Sequence, residues 1–193
     1  MLASIHPLGE RARRQRWGVT VAAYLLSTVF ASALLGVALG LVGGWLGVPP
    51  LPALVVALAV AGVALDLRLG GLSLPTIHRQ VDEEMLTRYR GWVYGASYGF
   101  QLGLGVVTVV NSFAVYLALV LALLTGSAAG GLAVGLAFGL SRGLVVLAAA
   151  RVRDPSQLRR LHQRLQAWGP ASHRLAVGTQ GAVAAVVAAT LVA

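Results

Sequence analysis

The chain alternates between long apolar runs and short segments that carry arginine. A transmembrane helix needs about 20 mostly apolar residues, so this pattern predicts five membrane-spanning helices. Tight turns are expected between neighbouring runs at Val48-Pro49-Pro50 and at Thr125-Gly126-Ser127. The expected fold is therefore all-α, a single polytopic membrane domain. The five predicted spans cover residues 18–46, 51–67, 95–124, 128–150 and 174–193.

Two of the polar segments predict helices that lie on the membrane surface. Apolar residues recur there at helical spacing, and Gly169-Pro170 is expected to end the second of these helices. We expect both helices to lie in the cytoplasmic interface, with their arginines toward anionic lipid. The two apolar stripes consist of Ile77, Val81, Met85, Tyr89 and Trp92, and of Leu158, Leu161, Leu165 and Trp168. The predicted order is a basic segment at 1–17, a helical hairpin at 18–67, an interfacial helix at 68–94, a second hairpin at 95–150, an interfacial helix at 151–173 and a last span at 174–193.

Composition and charge narrow the class of protein. Of the 193 residues, 58% are hydrophobic and 11% are charged, whereas soluble domains carry roughly 25% charged residues. All 15 basic residues are arginine, and all but Arg142 lie between the apolar runs or at their edges. This distribution excludes a soluble enzyme and a nucleic-acid-binding domain. Since arginine-rich loops stay in the cytoplasm, we expect a multi-pass inner-membrane protein, with its N-terminus inside, its C-terminus outside and its arginines facing an anionic inner leaflet.

Small residues recur at every fourth position in three of the predicted helices. Small residues at this spacing let transmembrane helices approach closely, so we expect these stripes to pack the bundle. Alternatively, one stripe faces a flat apolar cofactor or a partner subunit, although the residues indicate no particular cofactor. The stripes consist of Ser32, Gly36, Gly40 and Gly44, of Gly91, Gly95, Gly99 and Gly103, and of Ser127, Gly131, Gly135, Gly139 and Gly143.

One stretch of the chain has a pattern found in a known family. Residues 97–150 contain Ser97-Tyr98-Gly99-Phe100-Gln101-Leu102-Gly103-Leu104-Gly105, then a long apolar helix, Thr125-Gly126-Ser127, and Gly139-Leu140-Ser141-Arg142-Gly143-Leu144. This stretch resembles the second half of the DsbD/CcdA-type membrane proteins of cytochrome c biogenesis. The resemblance implies a helical bundle with a central polar cleft and an ancestry in membrane redox or export machinery. Where that family carries Pro-Cys, this chain has Thr108-Val109, so we expect neither the helix break nor thiol–disulfide electron transfer.

Polar residues within the apolar runs are the candidates for a binding site. A charged side chain in the membrane is costly and is usually kept for a partner or a function. We expect Arg142 to be buried and paired, with Asp66, at a shallower depth, as the only acidic residue in reach. For the uncharged residues, the alternative is hydrogen bonding between helices. The candidate binding residues are Arg142, Gln101, Gln180, Asp66 and Tyr24, which form one polar layer, and Thr108, Asn111 and Ser112, which lie farther out.

The residues indicate no catalytic or metal-binding constellation. No two of the four histidines lie three or four positions apart, as helical metal ligands do, and we expect no enzyme. Two functions remain open. The bundle is a small-solute or anion transporter organised around Arg142, or it is an accessory or anchoring subunit of a larger membrane complex. The expected protein partners are other membrane subunits or a second copy of the chain.

Overall fold

The computed structural model describes residues 5–49, 51–69, 85–105 and 112–192, and the regular structure in these ranges is helical. The all-α prediction is confirmed for this part of the chain. The helices are α1 (Pro7–Ala12), α2 (Trp17–Trp45), α3 (Pro52–Asp66), α4 (Met85–Arg88), α5 (Gly91–Gly103), α6 (Ala114–Leu124), α7 (Ala128–Gly143) and α8 (Pro155–Val192). A 3₁₀ segment, Leu144–Ala149, continues α7.

Helix α5 runs parallel to the first half of α2 at very short range. A Cβ atom built on Gly95 would lie 2.5 Å from the carbonyl oxygen of Thr20. Two turns further on, a Cβ on Gly103 would meet the backbone of Thr28. The two backbones are in contact along this whole stretch, which only residues without a side chain allow.

Helix α7 runs antiparallel to α2 on another side of that central helix. Gly131 packs against the backbone of Gly36, and Gly139 packs against Ser32. Helices that pack this closely gain van der Waals contacts along their backbones, which is the main attraction between helices in lipid. Helices α3 and α8 form a further pair, and α6 lies between this pair and α7.

The single helix expected over residues 95–124 is wrong, because the chain forms two helices there. Helix α5 ends at Gly103 and α6 begins at Ala114. Gly105 follows the end of α5 with a φ of +75°, a conformation that glycine adopts easily and that terminates helices. The expectation of no helix break at Thr108-Val109 itself is not tested, because these two residues are not described. Residues 106–111 lie outside the described residues.

The helix end expected at Gly169-Pro170 is also wrong, whereas the placement of 151–173 in the interface and of 174–193 in the membrane stays a prediction. Helix α8 is continuous over 38 residues, with Pro170 inside it, and at 1.5 Å per residue it is about 57 Å long. Proline bends a helix more often than it ends one when the flanking residues favour helix on both sides. Pro170 is exposed, and a Cβ atom added to the neighbouring Gly169 would meet no atom within 4 Å.

The first interfacial helix, expected within 68–94, lies largely outside the described residues. Its last part is divided between two helices, because α4 ends at Arg88 and α5 begins at Gly91. Met85 therefore belongs to α4 and Trp92 to α5. A bend at Tyr89 separates these helices, so the apolar stripe does not continue along one helix.

Among the described residues, two helical stretches are long and apolar enough to cross a bilayer, Trp17–Trp45 and Ala128–Ala149. Each coincides with a predicted span within one residue at either end. Pro52–Asp66 and Ala114–Leu124 are shorter apolar helices. The count of five spans and the orientation with the N-terminus inside stay predictions.

Candidate functional site

Arg142, near the end of α7, points toward the C-terminal end of α5. Its Nη1 atom donates a long hydrogen bond of 3.5 Å to the carbonyl oxygen of Gly105. Its guanidinium carbon lies 5.3 Å from the ring centroid of Phe138, a cation–π distance. Gly105 has no side chain, so the Phe138 ring packs directly against it. Arg142 therefore places a positive charge where the last carbonyl groups of α5 leave a negative partial charge.

Asp66, the last residue of α3, lies at the start of α6, on the other side of the interruption between α5 and α6. Its carboxylate is almost fully buried, with 5% of the residue exposed. It accepts hydrogen bonds from the backbone N–H of Phe113 at 2.9 Å, from the hydroxyl of Ser112 at 2.7 Å and from Nε2 of Gln180 at 2.6 Å. Phe113 precedes the first residue of α6, where unpaired N–H groups create a positive partial charge. Asp66 therefore caps α6 from a different helix.

Arg142 and Asp66 together provide hydrogen bonds at the end of α5 and at the start of α6. The end of α5 lies beside Ala31, the midpoint of α2, and α6 continues along the second half of α2 to Leu123, which faces Gly43. An interruption at this point leaves backbone groups without intrahelical partners. Arg142 supplies a donor to a carbonyl on one side, and Asp66 supplies an acceptor to an N–H group on the other.

The structure brings together only part of the polar layer expected from the sequence. Asp66, Ser112 and Gln180 form one hydrogen-bonded cluster. The expected pairing of Asp66 with Arg142 is not formed, although the structure describes both residues, because the carboxylate is directed at the start of α6 and at α8. The sequence placed Asp66 near the inner end of its helix and within reach of Arg142, but a position along a helix does not determine which way a side chain faces.

The remaining candidates are distributed around the two clusters. Tyr24 is buried, with 4% of its surface exposed, and it lies close enough to Arg142 for an electrostatic interaction. Gln101 donates a hydrogen bond to the hydroxyl of Ser97 on its own helix, at 3.3 Å. Thr108 and Asn111 lie outside the described residues.

A groove of about 550 Å³ opens between α6 and α7 beside Arg142. At one end it is lined by Arg142, Ser141 and Ser112. The remainder is apolar, formed by Ala114, Val115, Ala118, Leu121, Val134, Ala137 and Phe138. Its volume lies within the range of about 300–1,000 Å³ that is typical of ligand sites. The groove therefore offers one cation and two hydroxyl groups at the end of an apolar wall.

Glu10 is a buried charge that reasoning from the sequence missed. The residue is fully buried, and its carboxylate pairs with Arg13 at 2.6 Å and accepts hydrogen bonds from the hydroxyl of Thr20, at 2.7 Å, and from the hydroxyl of Tyr94. These contacts fasten the N-terminal segment to α2 and α5. The available signal was that Glu10 is the one acidic residue among the arginines of residues 1–17.

His6 and Asp154 lie outside the apolar helices and have shifted pKa values. Nδ1 of His6 accepts a hydrogen bond from the N–H of Gly9 at 3.0 Å, which caps α1. Burial, followed by the nearby charges of Arg13 and His162, lowers the pKa of His6, while Glu10 acts in the opposite direction. Hydrogen bonds from Ser156 and Gln157 lower the pKa of Asp154, which precedes α8. Among the described residues, no group of three or more histidine, aspartate or glutamate side chains could hold a metal ion.

These features define an α-helical integral membrane protein with an interrupted helix held by two opposite charges. Residues 2–183 match the family model described as the transmembrane region of cytochrome c biogenesis proteins, so the chain belongs to that family. The resemblance identified in residues 97–150 is thus confirmed, and it extends into the first half of the chain. Searches of curated proteins and of solved structures give no match.

Proposed function

We propose that this chain is a multi-pass inner-membrane protein that transports a small solute or anion past Arg142. The observation that supports this proposal is the interruption between α5 and α6, with Arg142 at one free end and Asp66 at the other. Interrupted helices near the bilayer midplane are characteristic of the substrate sites of secondary transporters, where helix ends and unwound backbone contact the substrate.

The free-energy cost of an interrupted helix and of a charged side chain in lipid favours a functional role for this interruption. In lipid, each unsatisfied backbone group costs several kcal/mol, so irregular backbone persists only inside protein or beside a water-filled cavity. An arginine at the centre of a transmembrane helix costs about 2.5–3.5 kcal/mol on insertion scales. Arg142 donates a long hydrogen bond to the carbonyl oxygen of Gly105, just beyond the end of α5. Arg142 also lines the groove between α6 and α7, and a planar guanidinium at such a place suits an oxyanion.

Cysteine redox chemistry does not enter this proposal. Thiol–disulfide exchange requires a thiolate, and these 193 residues contain no cysteine. The role proposed here is therefore non-enzymatic, with the family's bundle used for passage of a solute and not for transfer of electrons between thiols.

An anion flux assay tests the proposal. The full chain is reconstituted into vesicles on a solid-supported membrane, and currents are recorded on jumps of chloride, acetate, sulfate and phosphate. We expect a current for at least one of these anions, loss of that current in Arg142→Gln, and partial retention in Arg142→Lys, which keeps the charge but not the planar fork. Arg153→Gln is the matched control, because Arg153 is an exposed arginine that does not line the groove.

Two results would contradict the transport proposal. One is the absence of current for all four anions in vesicles whose protein is folded by circular dichroism. The other is an unchanged current in Arg142→Gln, which would mean that the conducted anion does not pass this residue.

A second function, as an accessory or anchoring subunit, is favoured by the exposed side of α8. Gly36 of α2 and Gly131 and Gly135 of α7 pack against backbone. In contrast, Gly178 and Gly181 of α8 have no described atom of the chain within 4 Å of an added Cβ. A helix of another membrane subunit, or of a second copy of this chain, could approach α8 closely there. Cross-linking of intact membranes followed by mass spectrometry tests this role. A cross-linked subunit that is lost in Gly178→Leu supports it, and recovery of the uncross-linked chain alone contradicts it.

A further inference from the structure

A second pocket lies at the junction between the end of α7 and the start of α8, away from the groove at Arg142. It has a volume of about 670 Å³. Three arginines line it: Arg151, which follows the 3₁₀ segment, and Arg160 and Arg164 on α8. None of its lining residues belongs to the groove beside Arg142 or to the ends of α5 and α6.

Local sequence explains why these side chains converge. Asp154 caps the start of α8, with its Oδ1 atom accepting hydrogen bonds from the N–H of Gln157 at 2.8 Å and from the hydroxyl of Ser156 at 2.6 Å. With the helix start held in place, Arg160 and Arg164 are one turn apart and share one side of α8. Arg151 belongs to the segment before the cap and lines the same pocket.

The described lining of this pocket carries three positive charges. Of the described residues that line it, none is acidic. Among the described residues no carboxylate forms an ion pair with Arg151, Arg160 or Arg164, and Asp154 interacts with Arg160 only electrostatically. Two like charges at positions i and i+4 destabilise a helix, and a bound anion removes that repulsion.

The residues that line the pocket indicate which chemical class of ligand it could bind. Arginine presents paired N–H groups that match the oxygens of a phosphate, and such pairs are among the strongest hydrogen bonds in proteins. The rest of the lining is partly apolar and includes Leu147, Val152 and Leu161. A phosphate joined to an apolar chain fits both parts, and basic pockets between membrane helices bind phospholipid headgroups in this way.

We propose that Arg151, Arg160 and Arg164 form a binding site for a phosphate group. The source of that phosphate is an anionic phospholipid or a free phosphate such as pyrophosphate. The apolar part of the lining favours the phospholipid, whose acyl chain packs against Leu147 and Leu161.

Native mass spectrometry of the full chain in detergent tests the site. Dioleoylphosphatidylglycerol and pyrophosphate are titrated separately, and the lipid titration is repeated in excess pyrophosphate. We expect Arg160→Gln/Arg164→Gln to bind the lipid about 25-fold more weakly than the unmodified chain, a factor of about five for each basic residue at a membrane surface. Arg153→Gln/Arg159→Gln is the matched control, because it removes the same charge from the same segment at positions outside the pocket.

The outcomes separate the two sources. Lipid binding that is lost in the pocket variant, kept in the control and not displaced by pyrophosphate supports a phospholipid site. Binding of pyrophosphate that is lost in the pocket variant, with displacement of the lipid, supports a site for free phosphate. An equal decrease in both double variants overturns the proposal, since bulk charge then explains binding. Absence of binding of either probe to the folded chain also overturns it.

Discussion

The close approach of α5 to α2 leads to a quantitative expectation for Gly95→Ala. The new Cβ atom would lie 2.5 Å from the carbonyl oxygen of Thr20, about 0.9 Å closer than ordinary van der Waals contact. The atom in the way belongs to the backbone of a helix, so no side-chain rotation relieves the overlap and the helices must separate. Overpacking of this kind typically costs about 1–3 kcal/mol, and we expect a value toward the upper end.

Gly178→Ala is the matched control for this substitution. Gly178 is also a helix-interior glycine, but a Cβ there meets no atom of the chain within 4 Å. Replacing glycine by alanine in a helix gains about 1 kcal/mol of intrinsic propensity, and this gain is similar in both variants. The difference between the two therefore isolates the packing cost.

The assay is reversible unfolding in dilute mixed micelles, followed by far-ultraviolet circular dichroism as the fraction of denaturing detergent rises. We expect Gly95→Ala to be less stable than Gly178→Ala by about 2–3 kcal/mol. Equal stability of the two variants, within about 0.5 kcal/mol, would show that α5 and α2 do not pack through their backbones at this point.

Three further expectations concern the buried polar groups. Asp66→Leu leaves buried donors unsatisfied, including Nε2 of Gln180, and should lower the free energy of unfolding by about 1–3 kcal/mol for each donor. Asp66→Asn keeps an acceptor and should lower this free energy less. Equal unfolding midpoints for these two variants would contradict the capping role. Because the pKa of His6 lies below its ordinary value of 6.5, the cap on Gly9 is fully present above that pH and weakens as the pH falls below it. Hydrogen exchange of residues 5–16 should therefore accelerate in acid, and His6→Asn, which can cap without titrating, should remove this dependence; an unchanged dependence would assign it to another group. Glu10→Ala should release the same segment to hydrogen exchange and proteolysis without changing exchange in α7, and a loss of exchange protection throughout the chain would instead make Glu10 part of the core.

The sequence predicted the parts of the fold that depend on local properties. An uninterrupted apolar run is a property of neighbouring residues, and α2, α3 and α7 accordingly match the predicted spans closely. The interruption between α5 and α6 depends on distant residues. Asp66 is 47 positions from Phe113, and Arg142 is 37 positions from Gly105. No local pattern shows that these side chains meet two helix ends, so the run from 95 to 124 was predicted as one helix.

The sequence predicts which residues belong to the candidate site better than it predicts how these residues pair. Rarity of polar groups in apolar runs singled out Arg142, Asp66 and Gln180, because burying such groups is costly anywhere in a membrane protein. Their pairing could not be predicted, since it depends on how each helix is rotated about its axis. Glu10 was missed for a different reason. It lies in a segment whose arginines were interpreted only as determinants of topology, although it is fully buried.

The central claim is that Arg142 forms a water-accessible, anion-attracting site beside the interrupted helix. The chain has no cysteine, so a single Ser141→Cys substitution places one thiol in the groove next to Arg142. The direct measurement is the rate at which this thiol reacts, in native membranes, with a negatively and a positively charged methanethiosulfonate. We expect the anionic reagent to react about tenfold faster than the cationic one, and Arg142→Gln to abolish this preference. Leu140→Cys, adjacent but outside the groove, should react with neither reagent. A Ser141→Cys thiol that is unreactive, or that reacts with both reagents at equal rates, would contradict the claim.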